Sequence, residues 1–492
     1  MSNILIKKYI WNKKENNIIF NSLKEFIDIN NLSRYIPILS LYFYYHNTKN
    51  SKKLLDIDKK YYVMKINECN DFKYYNSNKL AKITLLNMKN NTLKETDCFI
   101  KIIPILDVIS YIKNNYNSKN NLLIPNNYTY NTYSKINSLY NSCYIDVFVS
   151  YIIGELSNSN ANPSFPKFYS HLNGIMNNFK YDITEEYFDI INTKWFRNNI
   201  GDKFNINIYK DTSDSDSETN SSHSSNSSNN SNINSLSQYS EEDNNDYVAC
   251  IDNFPVQLLF IEKLDGTLTS LFPELEINLL ISCYFQINFC LIYLQKKLKF
   301  THNDLHTSNI MFKNTDKKFL YYKYNNLYFK VPTYGKIFKI IDFGRSIFTF
   351  KNKLFHNDVF SFYGECEGQY NYPISNIDLF INDKYKDENN IKPNFSFDMC
   401  RLTTSVIEEI NEYEIFKDKN KDIDNFMNLL NLILKDKDNV SIYSNSLKDN
   451  FDLYINIAKN ACNGIPYNII NHKVFQKYKI NKKKFPKKYY SI

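Results

Sequence analysis

Two short segments constrain this chain more than any others. Thr301–Phe312 reads THNDLHTSNIMF and crowds His302, Asp304, His306 and Asn309 together. Histidines four apart would share one face of a helix as a metal pair, but Asn303 and Asp304 favour turns and the apolar IMF after Asn309 looks like a strand. The segment is therefore expected to be a loop feeding a strand. Lys336–Phe348 reads KIFKIIDFGRSIF, an apolar strand that ends in Asp342-Phe343-Gly344. An acid at a strand end beside a flexible glycine suits a cation-binding carboxylate. Two polar loops on strand ends need a rigid scaffold beneath them, and 492 residues can bury one without disulfide support.

Composition narrows the class further. The nine cysteines are scattered with no C-x-x-C pair, which favours a reducing compartment and argues against a zinc module. MSNILIKKYIWNKKENN lacks the apolar core of a signal peptide, so export is not expected. LLISCYFQINFCLIYL, Leu279 to Leu294, is shorter than the roughly 20 residues of a bilayer span and carries Gln286 and Asn288. It reads as a buried helix, and no transmembrane segment is expected. A net charge of +8 is modest for this length, and part of it sits in KYKINKKKFPKKYY, Lys477 to Tyr490. This basic tail is read as a solvated face, with nucleic-acid or membrane contact not expected. Asp211 to Asp246 is Ser, Asn and acid with almost no apolar content, so it reads as a disordered insertion within a loop. The apolar YVACIDNFPVQLLFIEKLDGTL that follows reads as strand and turn. SLKEFIDINNLSRYIPILSLYFYY is the clearest helical piece of a helix-like first 60 residues.

The spacing of His302, Asp304 and Asn309, H-x-D-x-x-x-x-N, is that of the kinase catalytic loop, where the Asp accepts a hydroxyl proton and the Asn holds a divalent cation. Asp342-Phe343-Gly344 supplies the expected second metal carboxylate downstream. Upstream, DCFIKIIPI places Lys101 in an apolar strand, where an ammonium needs an anion. Its carboxylate partner should follow on a helix. YIDVFVSYIIGELSNSNANPSFPKFY offers Asp146 and Glu155, about half a turn out of phase, of which Glu155 is favoured.

Taken together the chain resembles the protein kinases, most closely those of large cytoplasmic DNA viruses of the poxvirus and giant-virus kind. YIDVFVSYIIGEL, PSFPKFYS, LLFIEKLDGTL, THNDLHTSNIMF, YFKVPTYGKIFKIIDFGRSIF, GECEGQYNYP and FSFDMCRL carry the resemblance, from about Lys101 to the C-terminus. It implies an α+β fold of two lobes, a small β-rich N-lobe and a larger helical C-lobe. The expected division is a helical extension over 1–60, an N-lobe over 61–264 interrupted by the 211–246 insertion, and a C-lobe over 265–492. It also implies ATP and Mg2+ as cofactors and protein substrates as partners, with action in the host-cell cytoplasm or the virion. By position, Asp304 would be the catalytic base, Asn309 and Asp342 the Mg2+ ligands, and Lys101 the phosphate-binding lysine oriented by Glu155. Glu262 to Leu264 would meet adenine behind Ile261, and Asp398 would brace the catalytic loop.

The departures are informative. The first of nine glycines is Gly154, so no Gly-rich phosphate loop precedes Lys101, and YYNSNKLAKITLLNM must serve in its place. Asn303 replaces the usual arginine, which implies activity without a phosphorylated activation loop. His306 stands where protein kinases usually carry lysine, as it does in small-molecule phosphotransferases. Asn325-Asn326, between two aromatic runs, reads as the turn of an inserted hairpin. The expected activity is transfer of the ATP gamma-phosphate to Ser or Thr hydroxyls. A small-molecule phosphotransferase of the aminoglycoside or choline kinase type, and a nucleotide-poor pseudokinase scaffold, are the alternatives.

Overall fold

The computed structural model describes residues 4, 6–43, 55–116, 122–125, 133–210, 245–361, 364–370, 372, 393–417, 420–443 and 450–492. They form a mixed α+β protein. The chain divides into two compact units, each assembled from separate stretches of sequence. One comprises Lys7–Ser138 with Ser170–Phe260, and the other Met1–Ile6, Leu139–Tyr169 and Ile261–Ile492.

The first unit is built on strands. β1 (Lys8–Ile10) pairs with β3 (Leu55–Ile57), and a six-stranded sheet joins β2 (Ile29–Ser33), β4 (Tyr61–Asp71), β5 (Lys79–Asn87), β6 (Thr92–Pro104), β7 (Phe168–Met176) and β11 (Phe254–Glu262) in the order β2-β7-β11-β6-β5-β4. Its strands follow the alternation that a half-buried pleat demands: on β6, Cys98, Ile100 and Ile102 are buried while Phe99 and Lys101 lie on the opposite, more open face. β8 (Phe179–Asp182), β9 (Asn205–Lys210) and β10 (Asn245–Ile251) form a smaller sheet. β9 and β10 pair antiparallel from Asn245↔Lys210. Most of the tract expected to be disordered, residues 211–244, lies outside the described residues and joins these paired strands, while Asn245 and Asp246 already belong to β10.

The expectation of a helical N-terminal extension is corrected in part. A helix does form over Lys13–Lys24, where the Asn12 side chain caps the Lys14 N–H. However, the stretch read as the clearest helix contains β2, with Ile29 and Leu32 buried. Pairing with β7 prevails over the local helical pattern, since a strand buried against a sheet gains more than an isolated helix of that length. Residues 1–60 are therefore not a body of their own.

The second unit is mainly helical. Its long elements are the helices Ser142–Asn158, Ile277–Leu298, Phe397–Glu412, Lys421–Ile433 and Asn450–Asn460. The helix Ser142–Asn158, expected in the 61–264 lobe, groups with this unit instead. Ile277–Leu298 is long and apolar enough to cross a membrane by length and composition, and 83% of its apolar window is buried inside the protein. That burial matches the reading of Leu279–Leu294 as a core helix. Three strands, β12 (Gly266–Thr267), β13 (Ile310–Asn314) and β16 (Lys336–Ile340), make a sheet in that order. The hairpin of β14 (Phe319–Tyr324) and β15 (Leu327–Pro332) turns at Asn325-Asn326 as expected, with Asn325 in the left-handed region at φ 50°. A short β17 (Phe348–Phe350) and β18 (Lys353–Phe355) form another hairpin, and β19 (Tyr490–Ser491) runs parallel to β14. The basic tail thus ends in an ordered strand.

Candidate active site

The two motif loops leave neighbouring strand ends. β13 starts directly after Asn309 and β16 ends two residues before Asp342, and Ile310 pairs with Ile340 across the ladder. The Ile341 N–H then donates to the Asn309 carbonyl at 3.0 Å, which carries the pairing into the loops. Asp342 itself sits at φ 64°, a left-handed conformation that Asp tolerates better than most side chains. Asp304, Asn309 and Asp342 are therefore set on one edge of one small sheet.

The helix Phe397–Glu412 holds the first loop from below. Asp398, Ser405 and Glu409 are spaced seven and four apart, which puts them on one helix face at about 100° per residue. The Asp398 carboxylate accepts the His302 N–H at 2.9 and 3.0 Å and the Asn303 N–H at 2.9 Å. Further along, Ser405 Oγ accepts the Thr307 N–H and Glu409 accepts from the Thr307 hydroxyl at 2.8 Å. Burial pushes the Asp398 pKa up, while the nearby His302 and the two backbone N–H donors pull it down. The expected bracing by Asp398 is thus a geometric fact, and Ser405 and Glu409 extend it to the far end of the loop.

Inside the loop the side-chain amide nitrogens of Asn303 and Asn309 both have defined partners. Asn303 adopts φ 63°, and its amide donates to Thr301 Oγ1 and to the Arg345 carbonyl while Tyr370 donates to its oxygen. It stitches the catalytic-type loop to the D-F-G segment. The Asn309 amide nitrogen donates to the Asp304 carbonyl and lies 2.9 Å from His306 Nε2. A carbonyl can only accept, so the nitrogen assignment is unambiguous and His306 Nε2 must be an acceptor. Burial, the largest influence, lowers the His306 pKa, in keeping with that neutral role. His306 Nε2 therefore serves to position the Asn309 amide.

The second loop is anchored in parallel. His302 Nε2 donates to the Ile341 carbonyl at 2.9 Å, and the buried Phe343 ring packs near His302 and Phe300. Asn357 reaches the Gly344 carbonyl. The Phe343 N–H donates to Asp146 Oδ1 at 3.1 Å. Between the two acids of the helix Ser142–Asn158, Asp146 is the one whose carboxylate meets the D-F-G backbone, and Ser150 supports it. Glu155, favoured from sequence, accepts from Asn158 near the helix C-terminus.

Asp304 carries two neighbours that the sequence did not single out. Tyr454 donates to Asp304 Oδ1 at 2.6 Å, and Arg345 Nη1 lies 3.6 Å from the same oxygen. Arg345 also pairs with Glu365 at 2.8 Å. Burial would lower the guanidinium pKa, but Asp304 leads the charges that hold it above the ordinary arginine value. The Tyr454 phenol is pushed up to about 12 by burial and by Asp304, so its proton stays in place as a donor. Arg345 follows the D-F-G directly and was visible in the motif, whereas nothing local marks Tyr454.

Of the remaining expected residues, Glu262 is committed three times: its N–H donates to the Lys167 carbonyl, and its carboxylate accepts the Lys167 N–H at 3.1 Å and pairs with Lys339 at 2.8 Å. Only its carbonyl fits the expected adenine contact. Leu264 is buried, and Ile261 begins the longest stretch of the second unit. Lys101 belongs to the first unit, on the open face of β6. The turn within the segment expected to stand in for a Gly-rich loop is held by Asn78, whose N–H donates to the Asn76 side chain and whose side-chain oxygen accepts the Ile102 N–H.

Asn309 and Asp342 offer two oxygen-bearing side chains, a donor set suited to a hard cation that keeps much of its own water. Among the described residues there is no group of three or more His, Cys, Asp or Glu side chains that could hold a metal. No family model matches the chain, and no curated protein matches it at significant similarity.

Proposed function

We propose that this protein is an ATP-dependent protein kinase of two-lobed kinase-like fold, related to the kinases of large cytoplasmic DNA viruses and transferring a gamma-phosphate to Ser or Thr hydroxyls. The observation that carries this reading is the Asn309 carbonyl bonded to the Ile341 N–H, which brings a proton-accepting acid and two metal-type oxygens together on one sheet edge. Phosphoryl transfer asks for positioning and electrostatic stabilisation more than covalent chemistry, and this arrangement provides both. Asp304 orients the acceptor hydroxyl and takes its proton. Asn309 and Asp342 hold the cation, with the Asn309 oxygen aimed by the two bonds that its nitrogen donates. Bound Mg2+ supplies charge neutralisation at the phosphates. Lys101 and Glu155 keep the roles that the resemblance gives them, while Asp146 is the carboxylate that meets the Phe343 N–H. Glu262 and Leu264 remain the adenine-facing pair.

A small-molecule phosphotransferase is the second reading, favoured by His306 in place of the catalytic-loop lysine. Transfer of labelled gamma-phosphate to a mixed protein substrate, with phosphoamino-acid analysis, separates the two. Phosphoserine or phosphothreonine that disappears in Asp304→Ala is the expected result. ATP binding with no transfer to protein favours the small-molecule reading, and no ATP binding overturns both.

A further inference from the structure

The Asp304 carboxylate is held unsymmetrically. Both of its side-chain neighbours, the Tyr454 hydroxyl at 2.6 Å and the Arg345 guanidinium at 3.6 Å, meet the same oxygen, Oδ1. About 20% of the Asp304 side chain is still exposed, so the group is open to an acceptor. Tyr454 is itself fixed. The Arg345 and Arg401 guanidinium carbons lie 5.7 and 5.0 Å from its ring centroid, and Phe397 and Phe451 pack against it at 6.1 and 6.0 Å. A donor locked by two cations and two aromatic rings is a means of setting the rotamer of the acid that it bonds.

We infer that Tyr454 and Arg345 form a positioning pair that immobilises Asp304 through Oδ1 and thereby presents Oδ2 to the acceptor hydroxyl. This inference rests on the kinase reading. In the step it serves, the acceptor oxygen bonds to the gamma-phosphorus as the bridging oxygen to the beta-phosphorus departs with ADP, and the acceptor proton passes to Asp304. Oδ1 already accepts the phenol hydrogen and faces the Arg345 charge, which makes it the less basic oxygen, so the pair favours Oδ2 as the proton acceptor. It also gives the loop a cation beside Asp304 in a chain where the lysine position is occupied by a neutral His306 that serves Asn309.

The test is Tyr454→Phe, which deletes one oxygen and keeps the ring in its aromatic surroundings, assayed for transfer of labelled phosphate from MgATP. A lost hydrogen bond to a charged group predicts a fall in kcat of about ten- to hundredfold, with KM for ATP changed by no more than about twofold. Arg345→Gln should show the same split. A residue acting through Asp304 also shows no additive effect, so Tyr454→Phe should leave the residual rate of Asp304→Ala unchanged. A wild type that transfers phosphate while Tyr454→Phe matches or exceeds it overturns the inference and leaves the kinase reading standing. So does an undiminished loss in the Asp304→Ala background, which would mark Tyr454 as structural. A wild type that neither binds ATP nor transfers phosphate overturns both.

Discussion

At the scale of single residues, Asn309 shows how much a spacing can and cannot carry. The interval from His302 to Asn309 marks the loop because the chemistry is local: a short acid and a short amide on an irregular backbone a few residues apart. The same interval is silent on what aims the amide, which is His306. Replacing that side chain with leucine keeps the volume but leaves one hydrogen of a buried amide without its acceptor, at a cost of roughly 1–3 kcal/mol. His306→Leu should therefore raise the Mg2+ concentration needed for half-maximal transfer by severalfold or more, with little change in the fold by circular dichroism. An unchanged Mg2+ requirement would show that the Asp304 carbonyl alone fixes Asn309. That Asp146 rather than Glu155 meets the Phe343 N–H was hidden for a different reason. Residues 143–154 of their helix are buried on every side, so the helix has no amphipathic phase from which a sequence could tell which acid faces the D-F-G segment.

At the scale of elements, the segments that follow the motifs are set by contacts no local pattern announces. His356, just after β18, is stacked between Tyr140 at 4.4 Å and Tyr372 at 4.5 Å, with interplanar angles of 8° and 12°. The three residues are distant in sequence, and only the folded unit brings them together. Burial, the dominant cause, depresses the His356 pKa to about 4. The unfolded chain binds this proton near pH 6.5, so between about 6.5 and 4 the unfolded state holds more protons and stability falls as the pH falls. The whole window corresponds to about 3 kcal/mol for the one group. His356→Phe keeps an aromatic ring in the stack and cannot titrate. The gap between its unfolding midpoint and that of the wild type should shift in the variant's favour on going from pH 7 to pH 4.5. His171, also held near 4, titrates in both proteins and cancels in the comparison. A gap independent of pH would mean that His356 is solvated in the native state.

At the scale of the whole molecule, the sequence revealed the two motif loops at neighbouring strand ends and the core helix better than it revealed which parts of the chain belong together. Each unit is assembled from stretches far apart in sequence, so a boundary drawn at one point along the chain cannot describe it. The N-terminal segment is the clearest case, because its strand and its buried charges are completed by residues that follow much later. Arg34, with no exposed surface, meets Asp56 at 3.1 Å, Lys59 meets the same oxygen at 2.7 Å, and Trp11 donates to it at 3.0 Å. Arg34 continues to Ser170, and its carbonyl meets His171, both on β7. Burial would raise the Asp56 pKa, but the charges of Lys59 and then Arg34 more than offset it and hold the carboxyl well below the ordinary carboxylate range. Its contribution is thus present above the unfolded value of about 3.9 and is lost as the pH falls through the folded one. One carboxylate shared by two buried cations is costly to remove. Asp56→Ala takes the anion away and leaves the cations buried, a loss of about 3–5 kcal/mol, whereas exchanging all three charged residues together for apolar ones of similar volume should cost far less. Amide hydrogen exchange on β4, β5 and β6 at pH 7 reads the result directly: faster exchange in Asp56→Ala with recovery in Arg34→Met/Asp56→Leu/Lys59→Met. If Asp56→Ala exchanged at the wild-type rate, the charge cluster would have no part in holding the N-terminal segment to the sheet.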